Sequence, residues 1–351
     1  MCDKSFAGRA SQILQTAETE VNLKTISSGK LRRYHKISLW RQLADLPTVL
    51  KNLRDTFLIG AGFVQSWLFL RRVRPDVVFS KGGFVCVPVG LAARALKIPV
   101  VIHDSDTHPG LTSRILSRFA VAIATGAPLE YYNYPKDKTE YVGIPVSDAY
   151  HPVSLDDQKL LKQQLGLNET MPLVVITGGG LGAVPLNETA LNNAARLNEK
   201  AQIVHLTGTG KAAEAVGKTA SLKHYYVKEF IDSHEMAKLV RAADLVITRA
   251  GMTTLLELAA AAKPVIIVPN PRLTGGHQLS NAAVFDERGA AIVLDEADLV
   301  QHPEHFAEAI EWLLRNEQKR KKLAIAIATL ATPHAAQKTA ALIFAAASRG
   351  E

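Results

Sequence analysis

A glycine-rich loop between a predicted strand and a predicted helix carries the strongest chemical signal in the sequence. The apolar, β-branched run 173–177 leads directly into Gly178, Gly179, Gly180 and Gly182. Glycines let backbone N–H groups approach a phosphate, and the positive end of a helix dipole adds to the attraction. A tight turn that needs positive φ angles is the alternative, but four glycines in five positions favour a phosphate site.

A second loop of the same kind occurs earlier in the chain. Gly82 and Gly83 follow the short apolar run 77–80, and a helical pattern over 87–96 comes after them. Because the setting matches that of the first loop, this loop could hold a second phosphate group.

Polar side chains on two later helices are suited to a ribose and a sugar. Glu257 lies inside the otherwise apolar helix predicted over 254–262. A carboxylate there must find donors, which ribose hydroxyls or a structural arginine could supply. His277, Gln278 and Asn281 bring polar groups suited to sugar hydroxyls to the start of another helix, and a helix cap is their alternative role.

No set of residues with metal-ligand spacing stands out. His103, Asp104 and Asp106 are close in sequence, but no further ligand pair has a suitable spacing. The two cysteines, Cys2 and Cys86, exclude a disulfide scaffold and a cysteine-based zinc cluster, and they are typical of reduced cytosol. We predict a site with no metal and no cofactor.

The elements that position these residues alternate between strand and helix from residue 75 onward. Short apolar runs that end in glycine or aspartate, each followed by a helix, predict βαβ units in a parallel sheet. We predict an α/β chain with two doubly wound, Rossmann-like domains that face a cleft, over 1–147 and 148–332. A C-terminal helix within 333–351 is expected to complete the first domain. Ligands of such sheets bind outside the carboxyl ends of the strands.

Length and composition exclude several classes of protein. Of the 351 residues, 47% are hydrophobic and 21% are charged, which excludes an intrinsically disordered or fibrous chain. The apolar stretch 57–70 is shorter than the roughly 20 residues that a spanning helix needs. No apolar core of a signal peptide occurs in residues 1–30.

The positive charge is concentrated near the N-terminus. Residues 1–74 carry 13 lysines and arginines against 5 acidic residues, whereas residues 75–351 are neutral overall. The basic residues that flank apolar and aromatic side chains are Arg32, Arg33, Lys36, Arg41, Lys51, Arg54, Arg71, Arg72 and Arg74. This pattern suits an anionic membrane surface, where each cation adds about 1 kcal/mol. An amphipathic helix with a solvated basic side is the alternative, and nucleic acid is disfavoured because no recognition motif is present.

The order of the motifs closely resembles one family over nearly the whole chain. The matching motifs are Gly82-Gly83-Phe84, 99–106, 109–112, 143–146, 178–183, 229–232, Arg249-Ala250-Gly251 with Glu257, and His277-Gln278 with Asn281-Ala282. They are similar to those of the MurG family, the UDP-N-acetylglucosamine:lipid-linked N-acetylmuramyl-pentapeptide transferases of bacterial peptidoglycan synthesis. The resemblance implies a GT-B fold and inverting transfer of N-acetylglucosamine to lipid I, giving lipid II. It also implies a peripheral position on the cytoplasmic face of the cell membrane and chemistry that needs no metal.

The resemblance implies roles for individual residues in binding UDP-N-acetylglucosamine. Ile231 would face the uracil, and Glu257 would bind the ribose hydroxyls. The residues near the diphosphate would be Gly178, Gly179, Gly180, Gly182, Gly251, Met252, Thr253 and Thr254. The residues near the N-acetylglucosamine would be His277, Gln278 and Asn281.

Three positions depart from the family's pattern. The family usually has serine at Gly180, arginine at Ser147 and often asparagine at Asp106, and all three positions belong to the expected substrate-binding set. Losing an arginine and a hydroxyl near a diphosphate is expected to weaken donor binding or to shift its mode. Gly82 and Gly83 would form part of the acceptor loop.

The N-terminal end departs further. The family begins with a strand and a glycine-rich loop whose histidine is the proposed general base, needed because a hydroxyl is a poor nucleophile until its proton is taken. Neither that loop nor a strand is predicted before the first helical pattern, 6–17. We therefore expect Met1 to be a mis-called or artificial start, assign no catalytic residue, and expect the chain as it stands to be inactive or severely impaired.

Two alternatives to the transferase remain open. The first is a non-catalytic, membrane-associated module that binds a UDP-sugar without transferring it. The second is a different GT-B enzyme, such as another lipid glycosyltransferase or a UDP-sugar epimerase. Donor binding without transfer would indicate the first, and donor and acceptor competition would identify the second.

Overall fold

The computed structural model describes residues 1–14, 19–30, 45–180, 182–271 and 276–348. In chain order, the strands among these residues are β1 (Cys2–Asp3), β2 (Thr25–Ile26), β3 (Val78–Ser80), β4 (Val100–Asp104), β5 (Ala122–Thr125), β6 (Thr139–Tyr141), β7 (Leu173–Thr177), β8 (Gln202–Leu206), β9 (Tyr225–Lys228), β10 (Leu245–Thr248), β11 (Val265–Ile267) and β12 (Ile292–Val293). The α-helices are α1 (Ala7–Leu14), α2 (Leu46–Val73), α3 (Cys86–Ala95), α4 (Leu111–Leu116), α5 (Leu155–Gln164), α6 (Val184–Asn192), α7 (Ala194–Asn198), α8 (Ala212–Thr219), α9 (Ser233–Ala242), α10 (Met252–Ala260), α11 (His277–Glu287), α12 (Glu296–Gln301), α13 (Glu304–Arg315), α14 (Glu317–Ala328) and α15 (Ala335–Ala347).

These elements form two compact units. One unit contains Met1–Ile144 together with the C-terminal helix α15, and the other contains Pro145–Pro333. Helix α15 packs against β4 and β5 of the first unit.

The second unit is built on a six-stranded parallel sheet in the order β12-β11-β10-β7-β8-β9. Every residue of β7 and β10 is buried, as expected for central strands whose sequences are continuous apolar runs. The chain moves outward from β7 in one direction through β8 and β9, and from β10 in the other direction. The order therefore reverses between β7 and β10, which is where open parallel sheets bind their ligands.

Helices cover the sheet of the second unit and close its core. Leu197 from α7, Phe306 and Ile310 from α13, and Leu323 from α14 are fully buried with Ile176 of β7 in one apolar cluster. Burial of a side chain of this size contributes about 1.5–3 kcal/mol. The core holds the strands in place, so that the loops at their carboxyl ends start from fixed positions.

The first unit contains a four-stranded parallel sheet in the order β3-β4-β5-β6 and a separate parallel pair, β1 with β2. The expectation of no strand before the first helix was wrong, because Cys2–Asp3 pairs with Thr25–Ile26. A two-residue strand is too short to leave a periodic pattern in the sequence. The helix expected over 6–17 is α1, and residues 15–18 lie outside the described residues.

Candidate functional site

The glycine loop 178–182 lies at the carboxyl end of β7, beside the point where the strand order reverses. Its residue Leu181 lies outside the described residues. The Gly182 N–H donates to the Gly179 carbonyl at 2.8 Å, and the Gly179 N–H donates to Thr177 Oγ1 at 3.1 Å. Helix α6 begins two residues after the loop, so its positive end lies where an anion would bind.

Close packing on the neighbouring strand requires glycine at position 182. Its φ is +67°, in the left-handed region, and a Cβ atom there would lie 1.9 Å from the Thr207 carbonyl oxygen. Thr207 follows β8, and its carbonyl also accepts a hydrogen bond from Asn187 Nδ2 of α6 at 2.9 Å. The loop, the end of β8 and α6 are therefore held together at one edge of the sheet.

A buried ion pair fixes the carboxyl end of β10. Arg249 Nη1 donates to the Val268 carbonyl at 2.9 Å, and the guanidinium pairs with Glu296 in the first turn of α12. The side chains of Arg249 and Glu296 are 6% and 13% exposed. From the sequence, Arg249 was identified only as part of a motif, and Glu296, which lies 47 residues further along the chain, was missed.

The predicted residues 251–254 lie together at the start of α10. Gly251 is the N-cap, Met252 is buried, Thr253 is exposed and Thr254 is half-buried. The first N–H groups of a helix have no partner inside it and are available to an anion. Since β10 and β7 are neighbours, this helix start and the glycine loop lie at the same edge of the sheet.

Glu257 lies in the second turn of α10 and is half-buried. Burial and, secondarily, the charge of Glu257 raise the pKa of Tyr150, which indicates that the carboxylate and the phenol are near each other. The Tyr150 N–H donates to the Ser147 carbonyl at 3.0 Å, and Ser147 Oγ accepts from the Ala149 N–H at 3.3 Å. The predicted Ser147 thus lies in an exposed turn whose tyrosine packs near Glu257.

The start of α11 is tied to the two preceding strand ends. Gln278 Oε1 accepts a hydrogen bond from the Asn270 N–H at 2.8 Å. Asn281 is 1% exposed, and its Nδ2 donates to the Ala250 carbonyl at 3.0 Å. His277 is half-buried at the first position of the helix. Asn281 therefore connects α11 to the residue before the N-cap of α10.

An exposed aromatic ring lies next to the glycine loop. Ile231, expected to face a uracil, is 9% exposed, whereas its neighbour Phe230 is 65% exposed. A Cβ atom on Gly180 would lie 3.9 Å from the Phe230 ring. Asp232 caps α9 by accepting two backbone hydrogen bonds, at 2.8 and 2.9 Å. Phe230 belongs to the motif 229–232 but had no predicted role, because the exposure of a side chain cannot be told from residue type.

The predicted acceptor residues lie at the carboxyl edge of the sheet in the first unit. Gly82 and Gly83 connect β3 to α3, and the Gly83 carbonyl accepts from Thr112 Oγ1 at 3.0 Å. Asp106 follows β4 and is half-buried, and its backbone carbonyl accepts from the Tyr132 hydroxyl at 2.7 Å. Because β3 and β4 are neighbours, the two loops start from adjacent positions.

A buried carboxyl group lies at the end of β4. Asp104 is 6% exposed and accepts a hydrogen bond from the Tyr134 hydroxyl at 2.8 Å. Burial raises the pKa of Asp104 to about 7, with Asp106 adding to the rise and the Tyr134 bond opposing it. Burial also lowers the pKa of His103, whose Nε2 lies 2.8 Å from the Gly143 carbonyl oxygen. From the sequence, Asp104 belongs to the motif 99–106, and a role as a metal ligand was rejected.

Helix α2 presents an apolar stripe to solvent. The side chains of this stripe lie on one face of the helix, because they are spaced by three or four residues and once by two turns. Each of them is at least 54% exposed, and they are Leu46, Leu50, Leu53, Phe57, Val64 and Leu68. The basic residues Lys51, Arg54, Arg71 and Arg72 on the same helix are also exposed. Arg32, Arg33, Lys36 and Arg41 lie outside the described residues. Among the helices that the structure describes, none is both long and apolar enough to cross a membrane.

Two family models match the chain, and each corresponds to one domain type. The Glycosyltransferase family 28 N-terminal domain matches residues 12–125, and the Glycosyltransferase family 28 C-terminal domain matches residues 173–339. Together the two models cover more than half of the sequence. The chain belongs to glycosyltransferase family 28.

Similar proteins show which transferases of family 28 this chain resembles. The UDP-N-acetylglucosamine--N-acetylmuramyl-(pentapeptide) pyrophosphoryl-undecaprenol N-acetylglucosamine transferase 2 of Bacillus cereus is 34% identical over 298 residues, which is 85% of this chain and 78% of the relative. The transferase of that name from Staphylococcus aureus is 34% identical over 290 residues, 82% of this chain and 75% of the relative. Within family 28 the chain groups with these transferases, which confirms the resemblance drawn from the motif order.

Solved structures agree with the fold. The crystal structure of MurG from Acinetobacter baumannii matches the structure of this chain with a TM-score of 0.63 and 27% sequence identity. The match covers 83% of this chain and 79% of that chain. The structure of the UDP-GlcNAc 2-epimerase of Neisseria meningitidis bound to UDP-GlcNAc matches this chain with a TM-score of 0.59 and 15% identity, over 84% of this chain and 81% of that chain. At this low identity, the match is evidence for the fold alone. The predicted α/β GT-B fold and the predicted class of enzyme, a glycosyltransferase, are confirmed.

Proposed function

We propose that this chain transfers N-acetylglucosamine from UDP-N-acetylglucosamine to lipid I and so forms lipid II. The observation that carries the proposal is the convergence of the predicted donor residues on the carboxyl edge of one parallel sheet, where its strand order reverses. Relatives named for this reaction, at 34% identity over most of the chain, support it.

The diphosphate of the donor binds between two helix starts. The glycine loop 178–182 leads into the positive end of α6, and residues 251–254 offer the first backbone N–H groups of α10. Both helix ends carry partial positive charge, so they stabilise the negative charge that grows on UDP as the bond to the sugar breaks. The ion pair of Arg249 with Glu296 keeps the second helix start in place.

The remaining donor contacts follow from the neighbouring strand ends. Glu257 accepts hydrogen bonds from the ribose hydroxyls, and Ile231 lies against the uracil. His277 and Gln278 contact the N-acetylglucosamine. Asn281 is buried and bonded to Ala250, so its role is to hold α11 against the start of α10.

The acceptor lies at the sheet edge of the first unit. The loop of Gly82 and Gly83 and the segment that contains Asp106 start from adjacent strands there. The acceptor hydroxyl attacks the anomeric carbon from the side opposite UDP, a new carbon–oxygen bond forms as the bond to the diphosphate breaks, and the configuration inverts. The hydroxyl proton passes to a general base.

A direct transfer assay tests the proposal. The purified chain is incubated with radiolabelled UDP-N-acetylglucosamine and lipid I in phospholipid vesicles, and labelled lipid II is counted. We expect product only when lipid I is present, which would show that the expectation of an inactive or severely impaired chain was wrong, and little product from UDP-glucose. If calorimetry detects donor binding but no label reaches the lipid, the transferase proposal is wrong and the chain is a UDP-sugar-binding module.

Helix α2 attaches the chain to the cytoplasmic face of the cell membrane. Its exposed stripe would enter the headgroup region, and Lys51, Arg54, Arg71 and Arg72 would face anionic lipids. An amphipathic helix with only a solvated basic side would leave its outward face polar. The outward face of α2 is apolar instead, which favours the membrane over that alternative.

Vesicle sedimentation tests this attachment with a matched pair of variants. Phe57 on α2 and Phe344 on α15 are both 73% exposed. Burial of a phenylalanine contributes about 1.5–3 kcal/mol, so Phe57→Asp should weaken binding to phosphatidylglycerol vesicles by roughly 10-fold to 100-fold. Phe344→Asp should bind as the unmodified chain does. Equal binding by both variants would contradict the role of α2.

A further inference from the structure

Two histidine side chains lie against each other at the junction of α12 and α13. The His302 N–H donates to the Asp298 carbonyl at the end of α12 at 2.7 Å, and the His305 N–H donates to the His302 carbonyl at 3.1 Å. This turn stacks the imidazole rings, with centroids 5.0 Å apart and planes 27° apart. The junction is on the second unit and contains none of the residues assigned to the donor.

Carboxylates complete the cluster. Glu304 Oε1 lies 3.6 Å from His302 Nδ1, and Asp298 Oδ2 lies 2.8 Å from His305 Nδ1. One ligand atom from each of His302, Glu304 and His305 lies within 4.8 Å of the other two. When neutral His305 donates from Nδ1 to Asp298, its other ring nitrogen, Nε2, keeps a lone pair that can bind a metal ion. Carboxylates orient metal-binding histidines in this way in many metal sites.

We propose that His302, Glu304 and His305 bind a transition-metal dication of the zinc class, with Asp298 orienting His305. Imidazole and carboxylate are ligands that zinc, nickel and copper accept, whereas calcium and magnesium prefer oxygen ligands alone. Ligand atoms around a tetrahedral zinc ion lie about 3.4 Å apart. The three side chains are 51%, 52% and 44% exposed, so they can rotate to close the remaining gap.

The bound ion joins two helices that cover the core of the second unit. Leu299 of α12 and Phe306 of α13 are buried on either side of the junction. A ligand that binds the folded state more tightly than the unfolded state stabilises the folded state, and the folded turn holds the three ligand atoms within 4.8 Å of one another. The site was not predicted from the sequence because His302, Glu304 and His305 form one short run, whereas metal-ligand spacing was expected as two separated pairs.

Calorimetric titration of the full chain with Zn²⁺ tests the proposal. We expect one zinc ion per chain at this site, with affinity at least tenfold weaker in His302→Gln and in Glu304→Gln. His234→Gln is the matched control, because His234 is exposed near a helix start in the same unit, and it should bind as the unmodified chain does. Circular dichroism of each variant shows whether it is folded, and the two variants probe different ligands.

Cobalt as a probe identifies the ligands. Co²⁺ in a low-coordinate nitrogen and oxygen site absorbs visible light, and this band should disappear in His302→Gln but persist in His234→Gln. A thiolate charge-transfer band would instead show that Cys2 or Cys86 binds the metal. The proposal is overturned if that band is the only one, or if His302→Gln and Glu304→Gln bind Zn²⁺ as tightly as the unmodified chain.

Discussion

Replacing Gly182 with alanine is expected to move the glycine loop and, with it, the bound diphosphate. The new Cβ would lie 1.9 Å from the Thr207 carbonyl oxygen, whereas a carbon and a carbonyl oxygen in contact are about 3.3 Å apart. The loop or the end of β8 must therefore shift by roughly 1.4 Å. A hydrogen bond to a charged group is worth about 1.5–3 kcal/mol, so the loss of one such bond to the diphosphate should lower UDP-N-acetylglucosamine affinity by between about tenfold and 100-fold.

Gly166, which follows α5 and lies outside the donor site, provides the matched control. Its φ is +71°, against +67° for Gly182, so alanine pays a left-handed backbone cost of about 1–2 kcal/mol at either position. A Cβ atom on Gly166 would meet no atom within 4 Å, so only Gly182→Ala adds a collision. The difference between the two variants therefore isolates the contact with Thr207.

Calorimetry with UDP-N-acetylglucosamine and urea denaturation measure the two effects separately. We expect Gly166→Ala to lose some stability and to bind the donor nearly as the unmodified chain does. Gly182→Ala should lose both stability and donor affinity. Equal donor affinity in the two variants would refute the reasoning, because the collision with Thr207 would then not set the position of the loop.

Three further substitutions test the surroundings of the site. The pKa of Asp104 is raised from 3.8 to about 7, so its protonated form favours folding below about pH 4, and that stabilisation is lost as the pH rises to 7. Asp104→Asn keeps an acceptor for Tyr134 and should flatten this pH dependence of the free energy of unfolding in urea denaturation. An unchanged pH dependence would contradict this role of Asp104. Glu296→Gln should lower the free energy of unfolding by about 3 kcal/mol, because it leaves the buried Arg249 without its countercharge; a loss below about 1 kcal/mol in the same assay would show that the pair matters little. Gly180→Ser supplies a hydroxyl that can donate to a phosphate, so calorimetry should show tighter UDP binding, and weaker binding would contradict this placement of the loop.

The strands that carry the donor site could be predicted from the sequence because they are buried on both faces. Leu173–Thr177 and Leu245–Thr248 are apolar up to a final buried threonine, and the structure has strands with those bounds. The glycine loop could be predicted for a similar reason, since glycines cluster where backbones approach closely. Strands such as Cys2–Asp3 could not, because two residues contain no period.

The contacts that hold the site in place depend on the folded chain and leave no local pattern. Arg249 meets Glu296 across 47 residues, and Asn281 meets Ala250 across 31. Asn281 has the residue type of a sugar ligand, yet its amide is buried against a backbone carbonyl. Spacing in the sequence predicts which residues gather at a sheet edge, but not which of them face the ligand and which support it.

The donor site is tested most directly by titrating the chain with UDP and with its 2′-deoxyribose analogue. A hydrogen bond to a charged group is worth about 1.5–3 kcal/mol, so the unmodified chain should bind UDP at least about tenfold more tightly than the analogue. Glu257→Ala should bind both weakly and equally, whereas Glu308→Ala, on an exposed part of α13, should keep the preference. A preference for UDP that survives in Glu257→Ala would contradict a ribose site at this carboxylate.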